Sequence, residues 1–258
     1  MTSQLRIAFF DIGKKNFAQY VEDCDIDELK SLNDRYNQLP KNLQRRVKGN
    51  MNPEIEGILN DMYKSSSTLH MGVFDLRNEN EENILDYDTR KNIITHLEKY
   101  KNWWDTCDII GIEQQFFTNA PFARSKKSGG ANIDAIKISE IVCSWFLMTY
   151  PTKDIKNLTS FKNIGTDKHI GFLSAPFKTL ILGMPNKCNR KKWAVQKAIE
   201  ICEIREEKEN VEMLTARKKR GATVKKGKNK VTVNKKDDVC DCILSAQALK
   251  MKFFIGKF

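Results

Sequence analysis

Three acidic stretches lie far apart in this chain, and their residue types suit one metal site. Asp11 closes the run Phe9-Phe10-Asp11-Ile12-Gly13, and Glu113 closes Ile110-Gly111-Ile112-Glu113. Asp238 and Asp241 stand three apart near the other end, a spacing that puts both on one helical face about one turn apart. Carboxylates brought together from the beginning, middle and end of a chain give a hard divalent cation its oxygen donors, and such a cation does hydrolytic chemistry on phosphate esters. Each stretch alone has a plainer explanation. Asp-x-Gly after a strand is a turn, an acid ends many strands, and acids in the first turn of a helix are favoured by its dipole. Taken together, with their order along the chain and a lysine-rich flank, the joint metal site is the better account.

The elements that must position these acids can be read from periodicity. Leu5 to Ile12 is an apolar, β-forming run that predicts a buried strand, with Asn16 to Val21 as its hairpin partner. Glu22 to Ser67 is polar, with leucines at 29, 32, 39 and 43, and reads as a helical insertion after the second strand. Leu69 to Leu76 predicts a strand, Asp88 to Trp104 an amphipathic helix, and Asp108 to Ile112 a strand that delivers Glu113. Asn132 to Met148 carries apolar residues at helical spacing, Ile155 to Leu158 is a weaker strand, and Lys191 to Ile204 is a helix with Trp193, Val195, Ala198, Ile199 and Cys202 inward. The last helix spans about Asp237 to Phe253. Strands and helices in this order describe an α/β fold with helices on the faces of a sheet.

Length and charge narrow the function. A chain of 258 residues with 40% hydrophobic content can build one large domain, which excludes disorder throughout. From Lys178 to Lys236 there are 18 Lys and Arg against 6 Asp and Glu, so this stretch accounts for the whole net charge of +11. A focused basic excess suits a polyanion, nucleic acid first and an anionic membrane surface second, because neutralising phosphates releases condensed counterions. Arg217 to Lys236 is read as a basic loop, or a hairpin turning at Gly227-Lys228-Asn229. Arg190, Lys191 and Lys192 open a helix, where cations oppose the dipole, so a phosphate partner explains them better than local stability. Seven cysteines without a C-x-x-C pair, and only three histidines, support neither a zinc finger nor a disulfide framework. Reduced thiols in a cytoplasmic or nuclear compartment are expected. No signal-like start and no run near about 18 apolar residues is seen, so no membrane partner is expected.

Four patches then resemble a known family: Phe10-Asp11-Ile12-Gly13-Lys14-Lys15-Asn16; Ile112-Glu113-Gln114-Gln115-Phe116 with the basic loop and long helix after it; Arg190-Lys191-Lys192; and Lys235-Lys236-Asp237-Asp238-Val239-Cys240-Asp241. The pattern resembles the RNase H-like superfamily, and within it the RuvC-like Holliday junction resolvases, closest to the poxvirus-type resolvases of large DNA viruses. The resemblance implies an RNase H-like mixed sheet flanked by helices over residues 1–258. The helical insertion at 22–67 departs from the family pattern, being longer than the hairpin connection of the compact fold, and the basic loop at 217–236 is read from composition alone. The resemblance also implies that Asp11, Glu113, Asp238 and Asp241 are catalytic metal ligands for two Mg²⁺ ions roughly 3.5–4 Å apart, with Mn²⁺ able to substitute. Asp237 has no place in the pattern and adds negative potential. Phe116, three residues after the glutamate, is implied to approach the junction core, where bases are unstacked. Arg124, Lys126, Lys127, Arg190, Lys191, Lys192, Lys235 and Lys236 are read as DNA contacts. The implied activity is paired, symmetric nicking of a four-way DNA junction by a homodimer, in DNA recombination and repair, at a viral replication site if the source is a virus. Other readings are an RNase H-like nuclease for RNA or flaps, a non-catalytic junction-binding protein, and an actin-like phosphotransferase. The last is disfavoured by the lack of a second Gly-rich phosphate loop.

Overall fold

The computed structural model describes residues 4–44, 51–78, 85–114, 133–150, 156–157, 169–173, 175–216 and 236–255. Its centre is β1 (Gln4–Asp11), which alternates strictly. Leu5, Ile7 and Phe9 enter one core, while Ala8 and Phe10 enter another, as the two-residue period of a strand requires. A strand buried on both faces needs neighbours on both edges. On one side β2 (Phe17–Asp25) runs antiparallel, followed by antiparallel β3 (Ser66–Phe74). On the other side lie β4 (Ile109–Glu113) and β6 (His169–Leu173), both parallel to their inner neighbours, with the short β5 (Lys156–Asn157) at the edge. Among the described residues the sheet is six-stranded, in the order β3-β2-β1-β4-β6-β5. This is the expected mixed α/β sheet flanked by helices, an antiparallel meander leading into parallel strands.

Between β2 and β3 lie α1 (Ile26–Gln38), α2 (Lys41–Gln44) and α3 (Pro53–Lys64). Side-chain caps start the longer two. Asp25 accepts from the backbone N–H of Asp27 and Glu28, and Asn52 accepts from Glu54, with Pro53 at the first helical position. The helical stretch is narrower than expected from the sequence. Glu22 to Asp25 still belong to β2, and Ser66 and Ser67 already belong to β3. The polar residues of β2 are held by partners far along the chain. Arg6 forms a two-pronged pair with Asp23, its Nε 2.6 Å from Oδ1 and its Nη2 2.7 Å from Oδ2.

The second face is covered by α4 (Tyr87–Lys99), α5 (Lys101–Thr106) and α6 (Ile133–Thr149), whose Ile93, Leu97, Trp104, Ile138, Val142 and Phe146 enclose Phe10. The first face is covered by α1, α3, α7 (Ala175–Ile181), α8 (Arg190–Ile204), α9 (Lys208–Thr215) and α10 (Lys236–Lys250), with a final π-helical turn at Met251–Ile255. In α8 the buried stripe is Ala194, Ala198, Ile201 and Cys202, while Trp193, Val195 and Ile199 are only partly buried. From Cys242 to Lys250 every residue of α10 is buried, the pattern of a central helix enclosed on all sides.

A buried polar network fixes α10 to the sheet. Glu22 on β2 is fully buried, and its Oε2 accepts from Arg205 Nη2 at 2.8 Å, Tyr20 Oη at 2.8 Å and Gln247 Nε2 at 2.9 Å. Its Oε1 lies 2.9 Å from Lys250 Nζ. Gln247 and Lys250 belong to α10, so the C-terminal half of the helix that carries Asp238 and Asp241 is anchored on a strand neighbouring Asp11.

Candidate active site

The parallel register pairs Phe10 with Ile112, which sets the next residues, Asp11 and Glu113, side by side at the ends of adjacent strands about 4.8 Å apart. Phe10 and Ile112 point into the α4–α6 face, so alternation turns the two acids toward the face covered by α10. A glycine makes this register possible: a Cβ on Gly111 would lie 2.4 Å from Phe9 Cδ2, so only glycine lets the Phe9 ring cross β4 beside the acids. On the same face, the first turns of α10 bring Asp238 and Asp241.

Electrostatics report how close these groups are. The Asp11 carboxyl holds its proton well above the usual carboxylate range. Burial is the main cause, and the charge of Glu113, a hydrogen bond with Glu113 and the charge of Asp238 add to it, while Lys178 acts the other way. Cys242, beneath the acids, is likewise pushed up, first by burial and then by Asp11 and Glu113, with Asp241 adding less and Lys178 opposing.

Lys178 on α7 is a site residue that the sequence reading did not single out. Its side chain is 1% exposed and its Nζ lies 2.9 Å from Asp241 Oδ1. The Oδ1 atom makes this contact as an ion pair without hydrogen-bond geometry. The available signal was a lone cation inside the apolar run Phe177-Lys178-Thr179-Leu180-Ile181-Leu182.

The donor set consists of carboxylate oxygens, the chemistry that Mg²⁺ or Mn²⁺ prefers, and the carboxyl contact between Asp11 and Glu113 is one that a cation would relieve. Among the described residues no group of three or more His, Cys, Asp or Glu side chains is closed around a common point at metal-holding geometry. The set fits a hard divalent cation by the chemistry of its donors.

A cationic surface adjoins the acids. Asn189 caps α8 by accepting from the backbone N–H of Lys192 at 3.1 Å, and Arg190, Lys191 and Lys192 are exposed beyond it. Lys191 reaches Asp237 at 2.7 Å, which gives Asp237 a definite partner. Lys236 donates to the carbonyl oxygens of Leu214 and Ala216, so its ammonium closes the end of α9. Between α8 and α10 lies an open groove of about 480 Å³ with Val195 and Ile199 in its lining and Lys191 and Lys192 among its rim residues. Phe116, Arg124, Lys126, Lys127 and Lys235, with nearly all of the 217–236 basic loop, lie outside the described residues. Of the three histidines, His96 is buried with Nε2 2.9 Å from Gln19 Oε1, and Gln19 Nε2 in turn lies 2.7 Å from His70 Nε2. His169 is buried in β6, and none of the three joins the acids.

An α/β protein with carboxylates gathered at adjacent strand ends and a helix N-terminus is the class defined by this architecture. No family model matches the chain. Uncharacterized protein 170L of Invertebrate iridescent virus 6 is 26% identical over 97% of this chain and 91% of that protein. Uncharacterized protein 97L of Invertebrate iridescent virus 3 is 24% identical over 76% of this chain and 84% of that protein. Among solved structures, Thermus thermophilus RuvC is similar with a TM-score of 0.41 and 10% identity, covering 95% of this chain and 92% of that one. Among the described residues no helix is long and apolar enough to cross a membrane.

Proposed function

We propose that this protein is a metal-dependent, structure-selective endodeoxyribonuclease that resolves four-way DNA junctions by paired nicks. What supports the reading is the position of Asp11 and Glu113 at two parallel strand ends, on the sheet face covered by α10, the helix that carries Asp238 and Asp241, beside an exposed Arg190-Lys191-Lys192 cluster. Asp11 and Glu113 offer oxygens from the sheet, and Asp238 and Asp241 offer theirs from α10. When bound, Mg²⁺ or Mn²⁺ supplies Lewis acidity at a phosphate ester. Arg190 and Lys192 draw the sugar-phosphate backbone toward the acids, which would otherwise repel it. The products are a 5′ phosphate and a 3′ hydroxyl, and a homodimer presents two such sites to opposed strands. Selection rests on junction shape and phosphate contacts more than on base sequence. The protein acts in a reducing intracellular compartment, in keeping with its seven free cysteines.

The test is incubation with a labelled four-way junction, a matched duplex and an RNA–DNA hybrid, in Mg²⁺ and in EDTA, alongside Asp241→Asn. Metal-dependent paired nicks in the junction alone are expected, and cleavage of the hybrid alone would select a different RNase H-like activity. A second reading, a junction-binding protein without catalysis, is favoured by the engagement of Asp241 with Lys178. Tight junction binding with no cleavage in either Mg²⁺ or Mn²⁺ would select it.

A further inference from the structure

The geometry points to a mixed cation site, in which the ammonium of Lys178 fills one of two cation positions among the acids and each chain takes one divalent ion. The inference rests on the reading of Asp11, Glu113, Asp238 and Asp241 as a metal site, and it changes the ion count that the family resemblance implies. Lys178 is 1% exposed, and an ammonium is buried that deeply only where negative charge compensates its lost hydration. The compensation comes from Asp241, whose Oδ1 is itself buried and, among the described residues, has no hydrogen-bond partner. The contact is charge against charge, the way a cation sits on a ligand oxygen.

The acids therefore divide into two halves. Asp241 is in direct contact with Lys178, whereas Asp11 has Glu113 and Asp238 as its stronger charged neighbours and Lys178 only as a weaker, opposing one. A divalent ion on Asp241 Oδ1 would stand within about 5 Å of the ammonium that lies 2.9 Å from the same oxygen, so that one carboxylate would have to compensate both buried positive charges. Lys178 has no easy exit, because Ile181 and Leu182 on the same segment are buried against α10. The half formed by Asp11, Glu113 and Asp238 carries the excess negative charge and is the position left for metal. Lys178 also keeps a cation beside the first turns of α10 before any metal arrives.

Counting bound Mn²⁺ on the full chain, by the electron paramagnetic resonance signal of the free ion, tests this without reference to activity. One ion per wild-type chain and two per Lys178→Met chain are expected. Two ions on the wild type would overturn the inference while leaving the metal site intact, and one ion on both proteins would overturn it as well. Binding to neither would remove the inference and the metal-site reading together. Circular dichroism shows whether Lys178→Met folds, and if it does not, the wild-type count decides alone.

Discussion

Replacing Glu22 by Gln should be among the most destabilising single changes in this protein, even though it keeps the shape of the side chain. Glu22 is fully buried and balances two cations, Arg205 at 2.8 Å and Lys250 at 2.9 Å. Burial pushes its carboxyl up, but Lys250, Arg205 and the hydrogen bonds from Lys250 and Gln247 together outweigh burial and bring it from 4.5 down to about 2. That drop corresponds to about 3 kcal/mol at 1.36 kcal/mol per tenfold change, in line with the roughly 3–5 kcal/mol lost when one partner of a buried pair is removed. The two partners do not share the effect evenly. Lys250 exerts the larger pull on Glu22 and Arg205 the next, while burial outweighs the attraction of Glu22 at Lys250 and leaves that ammonium lowered. A carboxylate depressed in the folded state stabilises above its unfolded value, and that contribution is lost as pH falls from about 4.5 through about 2. Urea denaturation at pH 7 should show a loss of about 3 kcal/mol for Glu22→Gln, and a melting scan a drop of roughly 6–12 °C. The variant should also lose the part of the acid slope that Glu22 supplies. Adding Lys250→Met to Glu22→Gln should recover part of the loss, since it removes one stranded cation. A loss below about 1 kcal/mol, or no recovery in the double variant, would refute the claim that Glu22 balances this network.

Three other outcomes follow from the geometry. Gly111→Ala should cost about 1–3 kcal/mol in urea denaturation by overpacking against Phe9, and Phe9→Leu in the same chain should restore part of it. His96 is pushed from 6.5 down to about 3, chiefly by burial and further by Lys99 and His70, so it is neutral in the fold and its stabilising contribution is lost as pH falls from about 6.5 through about 3. His96→Gln should flatten the dependence of urea midpoints on pH across that window. Lys192→Ala should weaken junction binding evenly across sequences and reduce the slope of log K against log salt by about 1, while Lys236→Ala, whose ammonium is held by carbonyl oxygens at the end of α9, should change that slope little.

The strand ends carrying Asp11 and Glu113 were legible because burial on both faces writes a nearly continuous apolar run, and a charge at its end marks where solvent begins. The same holds for α10, where Asp238 and Asp241 at a three-residue spacing announce a shared face, and for α8, whose apolar residues from Trp193 to Cys202 recur at helical spacing. These signals are local, set by backbone geometry over a few residues. Glu22 and Asp23 looked like the beginning of a polar insertion, because strand propensity alone cannot show that Arg205, Lys250 and Arg6 will neutralise them inside the sheet. The strand β6 was missed for a related reason: five residues are too few to show a period, and pairing with β4 makes them a strand. Lys178 stood out only as a cation in an apolar run. Whether such a residue reaches solvent or is buried depends on whether folding brings a carboxylate to it, and Asp241 lies 63 residues further along the chain. Local chemistry in the sequence thus determined which elements form and which acids they carry. The tertiary structure decided which charges share a low-dielectric space, because desolvation is compensated only by partners that the chain brings together from a distance.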